Sequence, residues 1–261
     1  MPDTRVGFVG LGNIGKPMAQ RLSGADGIDL SVFDLVPEAV AELEALGARR
    51  AASVGELAAQ ADIICVMVRD DDQVRGVLSE VLDVEGGAKT VVIHSTVAPG
   101  TPAELASAAA DHGVRVLDAP VSGGAMGAAD GTLAVLVGGS DEAFAAARPA
   151  LGGLSSYVIH AGPIGAGTQL KLARNLMHFV AFTAATEAQR LAEAVGLDLV
   201  ELGKVVRHTD AITGGPGAIM HRATTAPLDP DDGWTPIFAH VRAIGEKDLD
   251  HAIALADRLG V

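Results

Sequence analysis

Three groups of residues in this sequence could do chemistry. The first is GxGxxG, spelled Gly10-Leu11-Gly12-Asn13-Ile14-Gly15. In such a loop one glycine makes a tight turn, one lets the backbone approach a pyrophosphate, and one lets the next helix pack on its strand. Amides at that helix's N-terminus then face the phosphates. The bare pattern is weak, since 32 glycines in 261 residues produce about half a match by chance. Its context is stronger: an apolar run at 6–9 precedes it and a helical stretch at 16–22 follows. Asp34 comes 19 residues after Gly15, at the expected end of the second strand. A carboxylate there accepts hydrogen bonds from adenosine ribose hydroxyls and repels a 2′-phosphate, so NAD is the expected cofactor. The plainer alternative is an Asp that caps the following turn. Gly10, Gly15 and Lys16 also approach a phosphate-transfer loop, GxxxxGK, but Pro17 stands where a Ser or Thr should hold magnesium.

The second group is Ser122-Gly123-Gly124, within DAPVSGG. A hydroxyl beside unhindered amides makes a donor nest suited to an organic carboxylate, although alone it reads as an ordinary glycine-rich turn. The third is Lys171 with Asn175, four residues apart and hence on one helix face, followed by His178 and Phe182. A lone helix lysine is usually solvated; the glycines at 162, 165 and 167 and the apolar surroundings make these two polar residues candidates for a site. No metal is expected. Cys65 is the single cysteine, and Asp70-Asp71-Asp72 reads as the acidic opening of a helix. His208 and Asp210 have no GxSxG nucleophile to serve.

These residues need elements to hold them. Short β-branched runs at 6–9, 30–33, 63–68, 91–94 and 114–117 alternate with Ala-rich helical stretches such as 37–46 and 101–112. That rhythm predicts βα units and a parallel sheet. Runs at 132–137 and 157–160 extend it, with a helix at 141–151 between them. Beyond residue 168 strand patterns cease, and 170–194 reads as one long helix. The expected fold is a doubly wound Rossmann-type α/β domain, 1–164, followed by an all-helical domain, 165–261, with the active site between them.

Composition narrows the partners. A hydrophobic share of 49% supplies a core, and a formal net charge of -14 disfavours nucleic acid and anionic membrane surfaces. No signal peptide or membrane span is apparent, which predicts a cytoplasmic protein.

Four ordered blocks, FVGLGNIGKPMA, DAPVSGG, GPIGAGTQLKLARN and EKDLDHA, together resemble the β-hydroxyacid dehydrogenases, among them the 3-hydroxyisobutyrate dehydrogenases, over essentially the whole chain. The resemblance implies that Gly10 to Gly15 and Asp34 bind NAD, that Ser122, Gly123 and Gly124 hold the substrate carboxylate, and that Lys171 is the catalytic acid/base with Asn175 in support. It further implies cofactor contacts at Thr96, at Lys247, and at Val68 in the adenine pocket. Hydride transfer between NAD and a small β-hydroxy acid is the implied reaction, and a homodimer or homotetramer the implied assembly. Three departures stand out: Val68-Arg69 replaces a frequent Leu-Pro, Arg174 replaces a frequent Asn, and the chain stops at Val261 where relatives continue, which predicts a short form or a missing tail. An imine reductase on the same fold and a non-catalytic NAD-binding sensor are the alternatives; Lys171, which suits hydroxyl chemistry, speaks against the first, and Lys171 with Asn175 against the second.

Overall fold

The β-branched runs become strands because both of their faces find apolar partners. In β1 (Thr4–Val9), Val6 and Phe8 enter one core layer and Val9 the other. Helix α1 (Gly15–Ser23) buries Met18, Ala19 and Leu22 in the first layer. Then come β2 (Ile28–Phe33) and α2 (Pro37–Glu44), whose opening proline lacks an N–H that a first turn would leave unpaired anyway. The chain continues through β3 (Arg49–Arg50), α3 (Val54–Gln60), β4 (Ile63–Val66), α4 (Asp71–Leu82), β5 (Thr90–Ile93), α5 (Thr101–Ala110) and β6 (Arg115–Asp118). It closes the domain with β7 (Val121–Ser122), α6 (Gly124–Asp130), β8 (Ala134–Gly138), α7 (Asp141–Leu154) and β9 (Tyr157–Gly162). The computed structural model describes residues 3–222 and 224–261.

Nine strands among the described residues form one sheet, ordered β3-β2-β1-β4-β5-β6-β8-β7, with β9 against the free side of β8. The order reverses between β1 and β4, which opens a crevice at the carboxyl ends of the strands where such sheets take ligands. Pairing is parallel from β3 to β6, as the βα rhythm predicts. β8 is the exception, running antiparallel to both β6 and β7. Alternation through the sheet sends Cys65 into the first layer and Ile64 and Val66 into the second. Burial pushes the Cys65 thiol up to about 12, so it stays protonated and serves as strand filler.

Helices follow without further strands: α8 (Ala166–Ala194), α9 (Leu199–Thr213) and α10 (Trp234–Leu259), with a short 3-10 turn at Gly215–Gly217. Compact units divide inside α8, one ending at Arg174 and the other running Asn175–Val261. The first turns of α8 thus belong to the sheet's unit. Asp198 caps α9, accepting from the Val200 and Glu201 amides. Among the described residues, no helix is long and apolar enough to cross a membrane.

Candidate active site

The three glycines of the loop face three different surroundings. Gly10 has φ +96°, and a side chain there would collide with the Met67 carbonyl at the end of β4. A side chain on Gly15 would collide with the Gly10 carbonyl, which is the close helix-to-strand approach. A side chain on Gly12 would meet none of the described residues within 4 Å beyond its chain neighbours, and with Asn13 this glycine is exposed at the mouth of α1. The backbone is therefore bare on the side where a pyrophosphate would lie. Leu11 is buried beneath the loop and Ile14 partly so.

Asp34 follows β2 and holds this loop in shape. Its Oδ2 accepts from the Leu11 amide at 2.5 Å and its Oδ1 from the Val36 amide at 2.7 Å. The turn-capping alternative and the ligand reading are thus compatible, because each carboxylate oxygen has a second acceptor direction left. An exposed, glycine-faced loop with a carboxylate beside it fits a dinucleotide.

Ser95 is a tie that sequence reasoning passed over in favour of its neighbour Thr96. Its hydroxyl accepts from the Val68 amide at 2.9 Å and donates to the Val68 carbonyl at 2.7 Å, pinning the loop after β4 to the loop after β5. Thr96 is exposed beside it and Val68 half-buried. His94, fully buried before them, stands with Nδ1 2.9 Å from the Ala119 carbonyl, and burial lowers it to about 4, so the ring is neutral. Asp70 caps α4 through the Gln73 amide, and Asp71 binds the Thr101 hydroxyl and the Ala98 amide, so two of the three acids have structural work.

At the end of β6 the chain enters DAPVSGG. The run is less loop-like than its glycines suggest: Ser122 lies in β7 paired with Ala134, and Gly123 (φ +135°) and Gly124 (φ +65°) turn directly into α6. Ser122 is half-buried, Gly124 is exposed, and a side chain on Gly124 would enter open space. Asp118, the first residue of the run and fully buried, accepts from the Gly165 amide at 2.7 Å and the Thr168 amide at 2.6 Å. It seats the start of α8 on the sheet. The sequence did carry a signal for it, an acid closing an apolar strand, but nothing local names the partner.

Lys171, on the next turn of α8, is only 9% exposed. Burial holds its ammonium below the ordinary lysine value, and the nearby positive charge of Arg174 lowers it further. Asn175, one turn on, is partly buried. Lys247 stands exposed on α10 in the second unit, 3.0 Å from Asp248. The carboxyl ends of β1, β2, β4, β5 and β6 thus carry Gly10, Asp34, Val68, Thr96 and Asp118, and Asp118 brings the helix of Lys171 to the same edge.

This is the architecture of an NAD-dependent dehydrogenase. Residues 5–162 match the family model for the NAD binding domain of 6-phosphogluconate dehydrogenase. An oxidoreductase of Mycobacterium tuberculosis is 52% identical across 100% of this chain and 89% of its own length. The NAD-dependent L-serine dehydrogenase of Pseudomonas aeruginosa is 38% identical, covering 82% of this chain and 72% of itself. Among solved structures, the Mycobacterium tuberculosis 3-hydroxyisobutyrate dehydrogenase with L-serine superposes with a TM-score of 0.71 at 32% identity, covering 99% of this chain and 88% of that one. The protein belongs to the β-hydroxyacid dehydrogenase family and is an NAD-dependent dehydrogenase of hydroxy acids.

Proposed function

We propose that this enzyme oxidises a small β-hydroxy acid of the 3-hydroxyisobutyrate or serine kind, with Lys171 as general acid/base. The observation that carries this reading is the placement of Lys171: a lysine 9% exposed, on a helix seated at the ligand-binding edge of the sheet. Gly10 to Gly15 and Asp34 would hold NAD, with Val68 and Thr96 lining its path. Bound NAD supplies a hydride acceptor. Ser122, Gly123 and Gly124 hold the substrate carboxylate through a hydroxyl and main-chain amides. Neutral Lys171 takes the hydroxyl proton as the same carbon gives up its hydride, leaving a carbonyl. Asn175, one turn along the helix, steadies that hydroxyl. In reverse, the Lys171 ammonium returns the proton to the carbonyl oxygen.

A panel of 3-hydroxyisobutyrate, L-serine, glycerate-type and threonate-like acids, scored by NADH absorbance, tests this. At least one acid should turn over, and its methyl ester, lacking the anion, should be at least about tenfold poorer. If no acid reacts while NADH binds, the chain is a sensor; if only a cyclic imine is reduced, it is an imine reductase. The same panel run with NADP should show NAD preferred by at least about tenfold, roughly 1.4 kcal/mol, because Asp34 faces a 2′-phosphate with like charge. Equal efficiency with both cofactors removes Asp34 as the selector.

The second unit supports an assembly of two or four copies. Val205 and Ile212 on α9 and Ile237, Val241 and Leu249 on α10 are each at least 49% exposed, apolar side chains that association of copies would cover. Light scattering should return the mass of a homodimer or homotetramer. A monomer at micromolar concentration would overturn this.

A further inference from the structure

Asp118 has no ligand to bind in the reading above, yet its side chain is fully buried. A buried carboxylate is costly without donors, and among the described residues its donors are the Gly165 and Thr168 amides, 2.7 and 2.6 Å away. Amides at a helix start have no partner within the helix, and the helix dipole there favours an anion. The seat has no slack. A methyl on Gly138 would collide with Asp118 Oδ1 and stand 2.8 Å from the Ala166 and Gly167 nitrogens. One on Gly167 would collide with the Leu136 carbonyl and stand 2.8 Å from the Asp118 carbonyl. Thr168 and Lys171 are three residues apart and so share a face of α8. From Asp118 the chain runs in four residues to Ser122.

We propose that Asp118 is a positioning residue, whose carboxylate sets the height and rotation of α8 and thereby holds Lys171 in register with the Ser122 to Gly124 carboxylate nest. The proposal rests on the acid/base reading of Lys171. It extends that reading from the groups that touch substrate to the one that fixes the spacing between them. Displacing a reacting group by about 1 Å can cost about a hundredfold in rate, so a clamp on the helix is worth keeping buried. Arg174, whose charge adds to burial in lowering Lys171, rides on the same helix, so a shift of α8 changes chiefly how much water reaches Lys171.

Asp118→Asn keeps the shape but turns one acceptor into an NH2 group facing an amide N–H. Per folded enzyme, kcat/KM for the best hydroxy acid should fall at least about thirtyfold, with NADH affinity, read by fluorescence, within about twofold of wild type. The rising limb of the pH profile for oxidation should also move to higher pH, because a loosened helix admits water and lets Lys171 recover toward its ordinary value. Loss of the Asp118 charge alone would move that limb the other way, and a merely structural role would lower the folded fraction and leave the limb in place; either result overturns the proposal, as does wild-type kcat/KM. Asp118→Glu should not rescue, since the added methylene has no room. Thr168→Pro deletes one donor in the first turn of α8, where the N–H has no partner within the helix to lose, and should give the same changes at smaller size; it carries the test if Asp118→Asn does not fold. Lys171→Ala runs beside them. If it stays active the acid/base reading fails, whereas an inactive Lys171→Ala with a wild-type-like Asp118→Asn removes only the role of Asp118.

Discussion

Lys171→Ala is expected to lower turnover of the hydroxy acid by about 10²- to 10⁴-fold, roughly 3 to 5 kcal/mol of barrier, while NADH binds as before. The two effects separate because Gly10, Gly12, Gly15 and Asp34 lie on the first βαβ unit, with no contribution from α8. Lys171→Arg should not restore activity, since a guanidinium stays protonated and cannot take the hydroxyl proton. The wild-type pH profile adds a sign. Oxidation needs neutral Lys171, so its rate rises with pH through that group's pKa, and burial followed by Arg174 places this rise below the ordinary lysine range. Steady-state oxidation, NADH titration by fluorescence and a melting curve on each variant decide the matter. A folded Lys171→Ala enzyme keeping more than about a tenth of wild-type turnover removes Lys171 from the chemistry.

Gly12→Ala is expected to leave the melting temperature where it is and weaken NADH binding at least about tenfold, roughly 1.4 kcal/mol. Apart from its chain neighbours, none of the described residues lies within 4 Å of the added methyl, so the free enzyme has no reason to change. The methyl instead occupies the bare side of the loop, where only a glycine lets backbone reach a pyrophosphate. Gly15→Ala is the contrast: its methyl collides with the Gly10 carbonyl and sits 3.3 Å from the Phe8 ring, so stability and cofactor binding should fall together. Unchanged NADH affinity in a folded Gly12→Ala variant would place the pyrophosphate elsewhere.

Much of this protein is local, and the sequence by itself determined that much. Strands declared themselves because both faces of β1 and β4 are apolar, helices because Ala-rich runs such as 101–112 carry helical spacing and Asp70 opens another, and the glycine loop because three glycines with separate duties fall between one strand and one helix. Asp34 was legible as a strand-end carboxylate, though not its hold on the Leu11 amide. Tertiary structure alone decided the rest. The reversed direction of β8 depends on which strand edge is free once β6 is placed, and the two-residue β7 exists only because β8 pairs with it. Ser95 binds Val68 across 27 residues, and Asp118 binds Thr168 across 50. Periodicity and capping act over a few residues of chain, whereas a buried hydroxyl or carboxylate is satisfied by whichever amide the packed sheet delivers to it, and no pattern in the sequence names that amide in advance.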